Sequence, residues 1–205
     1  AKTPEAQQKC FSRLNDGINR ATRLVQQLLT IARLDPDASK KPMTTINLAE
    51  LVKGVRDDMA PIAAQKNIEI TEDARPAMLD GMEDAIRLMV TNLTDNAIRY
   101  TPEGGRIEIT SSTEHGLSVL RVCDNGPGIA PEERSRVFDR FYRALGTKTS
   151  GTGLGLAIVK RIVDIHHGTV EIEDGLDGRG TIFKLSFPPL GASSPHNAAV
   201  PSSRI

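Results

Sequence analysis

The chain has 205 residues, 39% of them hydrophobic and only 3% aromatic, with 26 basic side chains against 26 acidic ones. That length can bury a full core, and the balanced charge offers no bulk attraction for nucleic acid, so no nucleic-acid partner is expected. There is no apolar run of about 18 residues and no secretion-leader pattern, so the chain taken alone is expected to be soluble.

The two cysteines, Cys10 and Cys123, are too few for a disulfide framework and read as small core-like residues. The opening Ala1-Lys2-Thr3 lacks an initiator Met, and the chain is expected to be a piece of something longer. Residues 4–34 then read as one long helix. Thr3 can cap it, Pro4 suits its first position, and Glu5 favours the positive end of its dipole. Phe11, Leu14, Ile18, Ala21, Val25, Leu28 and Ala32 alternate three and four apart, a seam that calls for a helical bundle. Asp35-Pro36 ends it, and residues 36–42 form a polar linker.

From residue 43 the pattern changes to mixed helix and strand. Asn47 and Glu50 resemble a capping box for a helix with Leu48, Leu51, Val55, Met59 and Ile62 on one face, and Pro61 is expected to kink or shorten it. Ile68-Glu69-Ile70 alternates as a strand, and residues 82–100 form a second helix. Segments 106–110 and 117–122 alternate as neighbouring strands with a turn near Gly116. Residues 154–167 make an amphipathic helix stopped by Gly168, followed by strands at 169–172 and 181–187. The tail 190–205, rich in Ser, Ala and Pro, is expected to be disordered.

Asn92, Asn96 and Arg99 sit at i, i+4 and i+7 and share one helical face, beside the apolar stripe Ile86, Val90, Leu93 and Ala97. Amide oxygens are hard ligands that suit Mg²⁺, and a guanidinium can pair with phosphate; a solvated helix face would carry the same residues. Asp124, in Asp124-Asn125-Gly126-Pro127-Gly128-Ile129, follows an apolar strand. A carboxylate there could accept a hydrogen bond from the exocyclic amine of adenine, where guanine would present a repelling oxygen; a plain Asp-Asn-Gly turn is the alternative. Gly126 and Gly128 let the backbone approach a ring closely. The run Gly151-Thr152-Gly153-Leu154-Gly155-Leu156 opens a helix, where bare N–H groups attract phosphate, or it is a flexible loop. Neither the dinucleotide glycine fingerprint nor a P-loop occurs. Phe138-Asp139-Arg140-Phe141-Tyr142-Arg143 and the polar stretch 144–150 read as a hinged lid, with Arg140 or Arg143 able to reach a γ-phosphate, or as a pinned surface loop.

Together these segments resemble the N box, the first two glycine boxes and the F box of bacterial sensor histidine kinases, and Gly178-Arg179-Gly180-Thr181-Ile182-Phe183 resembles their last glycine box. The likeness is nearest to the quorum-sensing and polymyxin-resistance type. It implies an α+β fold of the Bergerat type, an ATP-binding α/β sandwich over residues 43–189, preceded by a long bundle helix. Residues 1–35 resemble the second helix of the dimerisation and phosphotransfer hairpin.

By the same resemblance Asn96 binds Mg²⁺ with Asn92 beside it, Arg99 touches phosphate and Tyr100 packs on adenine. Asp124 binds the amine, with Gly126, Gly128 and Ile129 shaping the base pocket. Gly151, Thr152, Gly153, Leu154, Gly155 and Leu156 hold the phosphates, and Thr181 supports the adenine side. Asn96, Arg99, Arg140 and Arg143 are the implied catalytic set. None of His115, His166, His167 and His196 fits the family's acceptor motif, so the acceptor His is expected upstream of residue 1. The implied activity is transfer of the γ-phosphoryl of ATP to that His and on to an Asp of a cognate response regulator. The intact protein is expected to be a homodimer through the helical hairpin, with this part the cytoplasmic portion of an inner-membrane sensor. Two rivals are another Bergerat ATPase, such as a topoisomerase or repair subunit, and a scaffold whose pocket is vestigial.

Overall fold

The described residues open on a short strand that leads directly into a capped helix. The structure, a computed structural model, describes residues 43–143, 152–175 and 178–191. The expected bundle helix 4–34, the linker 36–42, Gly151 and the stretch 144–150 lie outside these residues, as do Cys10, His196 and the tail from 192. Strand β1 (Thr44–Asn47) ends at Asn47, whose side-chain oxygen accepts from the Ala49 N–H at 3.1 Å and so caps helix α1 (Leu48–Ala64). Glu50 completes the device differently from a capping box, because its carboxylate accepts from the Asn47 amide rather than from a backbone N–H.

Helix α1 buries Leu48, Leu51, Val52, Val55, Met59 and Ala63. Pro61 lies inside it without ending it, and Ile62, expected in the core, is 40% exposed. The stripe runs from Val55 to Met59 to Ala63, so Ala63 takes the buried position and Ile62 falls at its edge.

Strands β2 (Glu69–Ala74) and β3 (Met78–Gly81) follow, then helix α2 (Glu83–Tyr100). Strands β4 (Arg106–Glu114) and β5 (Leu117–Asp124), helix α3 (Gly155–Ile165), and strands β6 (Thr169–Asp174) and β7 (Thr181–Phe187) complete the order. The main sheet runs β2-β4-β5-β7-β6, with β2 parallel to β4 and every other pair antiparallel. The two short strands β1 and β3, which lack a readable alternation, pair with each other in a separate ribbon.

All three helices share one core with a single face of the sheet. Ile107, Ile109, Leu120, Val122, Phe183, Leu185 and Phe187 meet Leu51, Val55, Ile86, Val90, Leu93, Ile158 and Ile162 there. The opposite face carries charge: Arg121 forks onto Glu114 at 2.6 and 2.7 Å, and Ser112 adds a third bond to the same carboxylate. Those donors hold Glu114 down at a pKa of about 2.

His166 closes the gap between helices. It is buried, its Nδ1 lies 2.7 Å from the Ile162 carbonyl, and its Nε2 accepts the Met82 N–H at 3.1 Å. Met82 is the N-cap of α2 and has no side-chain cap, so the imidazole satisfies one orphan donor of that helix. Burial keeps the ring neutral by lowering its pKa, and Phe187 packs edge-on against it at 6.5 Å. This histidine is a structural joint.

Candidate nucleotide-binding site

The polar row of α2 faces the place where the two glycine-rich turns converge. Asn92, Asn96, Arg99 and Tyr100 are all half-buried, next to the fully buried Val90, Leu93 and Ala97. Asn92 spends its amide N–H on the Leu88 carbonyl at 2.9 Å. Its oxygen points at the start of α3, where a Cβ on Gly155 would come within 3.2 Å of it. The Asn96 carboxamide makes no hydrogen bond with a described residue. The Arg99 guanidinium meets Asp95 at 2.6 Å across one helical turn.

Asp124 ends β5 in the floor of the fold and is 5% exposed. Its Oδ1 accepts the Gly126 N–H at 2.8 Å and the Thr181 N–H at 3.3 Å, while Oδ2 takes no bond from a described residue. Desolvation raises the carboxyl's pKa, and the two N–H groups pull it back only in part. One oxygen is anchored and one is left to accept from an incoming donor. That is the chemistry an amino group on a flat heterocycle would satisfy.

The turn beyond Asp124 can exist only with glycines around it. A Cβ on Gly126 would lie 2.9 Å from Asp124 Oδ1 and 3.1 Å from the Tyr100 carbonyl oxygen. Gly180, at φ +83°, presses against the Asp124 backbone so closely that a Cβ would fall 1.9 Å from its carbonyl oxygen. Gly175 crowds the same oxygen, and its N–H bonds Gly180 at 3.1 Å. An open cleft of about 480 Å³ adjoins this turn, lined by Tyr100, Pro102, Asn125, Gly126, Pro127 and Arg179.

The second glycine run packs on the aromatic segment. The Phe141 N–H bonds the Gly153 carbonyl at 2.9 Å, and a Cβ on Gly153 would sit 2.7 Å from the Phe141 backbone. Phe138 anchors that segment edge-on to Phe183 at 6.4 Å, and Tyr142 bonds Glu133 beneath the Arg136 guanidinium. Phe141 itself is 67% exposed at a positive φ. Thr152 Oγ1 accepts the N–H of Leu154, the N-cap of α3, and the Leu154 side chain caps none of the N–H groups that follow.

The structure therefore brings Asn92, Asn96, Tyr100, Asp124, Gly126, Gly128, Gly153, Gly155 and Thr181 into one neighbourhood. Leu154 is buried in the core, so it can offer a ligand only its backbone, while Ile129 and Leu156 pack against the core and stay half-buried. Arg140 and Arg143 are exposed on the aromatic segment. Sequence reasoning passed over three residues. Gly175 backs Asp124. The Asn125 side chain accepts the Arg106 N–H at 2.8 Å. Arg134 ties the Ile129 carbonyl to the Ile172 carbonyl and Asp174 of β6. An Asp-Gly step before a glycine-rich turn was the one available hint for Gly175; Arg134 gave none. Among the described residues no group of three or more His, Cys, Asp or Glu could hold a metal ion.

A helix-on-sheet sandwich with an anchored aspartate and converging glycine turns defines a nucleotide-binding ATPase fold, and comparison with known proteins agrees. Residues 81–191 match the family described as "Histidine kinase-, DNA gyrase B-, and HSP90-like ATPase", and the chain belongs to it. Among curated relatives, the sensor protein kinase PmrB of Pseudomonas aeruginosa is 39% identical over 189 residues, covering 92% of this chain and 40% of that protein. The sensor protein QseC of Salmonella typhi is 40% identical over 177 residues, covering 85% of this chain and 38% of its own length. Full-length ShkA, crystallised with AMPPNP, superposes with a TM-score of 0.76 at 30% identity, covering 97% of this chain and 42% of ShkA. The chain thus spans about two-fifths of the curated relatives it matches. No helix among the described residues is long and apolar enough to cross a membrane.

Proposed function

We propose that this chain is the ATP-binding catalytic part of a two-component sensor histidine kinase. The observation that carries the reading is Asp124, with Oδ1 fixed by two backbone N–H groups and Oδ2 left to accept from the adenine amine. Tyr100 and the Gly126 turn flank the base, and the bare N–H groups opening α3, with Gly151, Gly153 and Gly155, receive the phosphates.

An Mg²⁺ ion fits the donor set, because Asn96 supplies an uncommitted amide oxygen and this ion takes few protein ligands beside substrate phosphates and water. When bound, it would neutralise charge on the transferring phosphoryl group. Arg140 and Arg143, exposed on the aromatic segment, would approach the γ-phosphate, with Arg99 behind them once it parts from Asp95. In this reading the acceptor imidazole lies outside the described residues, since none of His115, His166 and His167 is followed by an acidic residue. His115 sits in a hairpin turn and His166 is buried as a structural joint. The phosphoryl group would pass to an aspartate of a response regulator, and the intact protein would pair with itself through the helical hairpin.

Calorimetric titration with ATP in magnesium tests this, with Asp124→Asn as the partner variant. Asparagine keeps an acceptor for the Gly126 and Thr181 N–H groups but turns an N–H₂ toward the adenine amine. A saturable wild-type isotherm weakened at least about tenfold by the variant is expected. A folded wild type that binds no ATP would defeat the proposal.

A further inference from the structure

We infer that Lys66, in the turn between α1 and β2, is a positioning residue for the base end of the site, an inference that rests on the ATP-binding reading above. Its ammonium donates to the carbonyls of Ile98 at 2.7 Å, Arg99 at 3.3 Å and Thr101 at 2.8 Å. These are the last carbonyls of α2 and its C-cap, groups that an α-helix leaves without internal partners and that sit at the negative end of its dipole. A cation reaching three of them from another element fixes where the helix stops.

The same turn is sewn to the chain beyond the helix. The Gly104 N–H bonds the Lys66 carbonyl at 3.1 Å, the Glu69 N–H bonds Gly105 at 3.0 Å, and Asn67 meets Glu103 at 2.9 Å. The end of α2 also has a backbone tie of its own, the Thr101 N–H on the Ala97 carbonyl at 2.8 Å. Arg99 is the only basic residue in its last turn and is committed to Asp95, while the buried Thr101 hydroxyl has no hydrogen-bond partner.

What Lys66 holds is one wall of the site. Tyr100 and Pro102 line the open cleft, and the Tyr100 carbonyl lies close to Gly126, 3.1 Å from where a Cβ there would sit. Asn96 stands one turn upstream on the same helix. Fraying of the C-terminal turn would withdraw Tyr100 from the Asp124 turn while leaving the phosphate end, built on α3, in place. The defect therefore belongs to the base and not to the phosphates.

The test compares Lys66→Met, Lys66→Arg and Asn67→Ala with the wild type, all verified as folded by circular dichroism at the titration temperature. Lys66→Met, which keeps the stem and removes the charge, is expected to weaken ATP and ADP by the same factor, about tenfold. Lys66→Arg restores most of the affinity. Asn67→Ala lowers the melting temperature but leaves both affinities unchanged. Without nucleotide, amide exchange at Thr101, whose N–H bonds Ala97, speeds up in Lys66→Met alone. Wild-type affinity in a folded Lys66→Met, or an equal loss in Asn67→Ala, would overturn the assignment while leaving the ATP reading standing. A wild type that binds no ATP overturns both.

Discussion

Burial raises the Asp124 carboxyl above its ordinary range, and two backbone N–H groups offset only part of that cost. A group that holds its proton more tightly folded than unfolded destabilises the fold as pH rises above the ordinary carboxylate value, and the penalty is full above the folded value. Asp124→Asn keeps the shape and removes the charge. The unliganded variant is therefore expected to melt at or above the wild-type temperature at pH 7, with the advantage disappearing near pH 4; calorimetric melts across that range measure it. A variant that binds worse and melts higher would mark a residue kept for its ligand. Asp124→Ala is the poorer probe, because it strands both N–H donors in a buried place. That Asp124 ends a strand and opens a turn was legible from the apolar run before it and the glycines after it. That its first oxygen is spent on Gly126 and Thr181, 57 positions apart in one case, was not, since nothing local in the sequence announces a bond of that span.

At the scale of elements, α2 and α3 were readable because their periodicity is long and their ends are marked, and both fall within a few residues of expectation. The ribbon of β1 and β3 was invisible, being four residues in each strand with its partner far away in the chain. Glycine patterns were legible as turns but not as contacts. Gly178 and Gly180 look alike in sequence and both have positive φ, yet no atom of a described residue lies within 4 Å of a Cβ on Gly178 while one on Gly180 would collide with the Asp124 carbonyl. Gly178→Ala is expected to cost about 1 kcal/mol, the strain of the left-handed backbone alone. Gly180→Ala adds a backbone displacement and is expected to exceed about 2 kcal/mol, with loss of nucleotide affinity. Urea unfolding of the two variants separates them, and equal losses would mean that the close approach around Asp124 carries no energy.

Across the whole molecule, pH acts through two structural groups besides Asp124. His166 is neutral in the fold with its pKa below the ordinary 6.5. Below that pH the unfolded chain takes up a proton that the native one refuses, so stability is full above 6.5 and falls as pH drops toward the folded value. Glu114, lowered from 4.5 to about 2 by Arg121 and Ser112, contributes stability above 4.5 that is lost as pH falls through about 2. It is partly open to solvent, so screening cuts its share. Below neutrality the His166 loss runs against the relief of the Asp124 penalty, so the melting temperature of Asp124→Asn is expected to decline first just below neutrality, and adding His166→Gln to flatten that first decline. A first decline that His166→Gln leaves unchanged would put the titrating group elsewhere.

The mixed sheet has a further consequence for the route by which the chain folds. Strands β4 and β5 meet across the tight His115-Gly116 turn, whose residues have φ of +49° and +81°, so this hairpin is local and closes quickly. Strand β2 joins β4 in parallel with Glu69 opposite Arg106, a pairing that must wait for α2 to be laid between them. Gly116→Ala is then expected to slow refolding in a stopped-flow experiment. Ile70→Val in β2 is expected to leave the refolding rate alone and speed unfolding. The edge that completes the sheet would be the last to arrive and the first to leave.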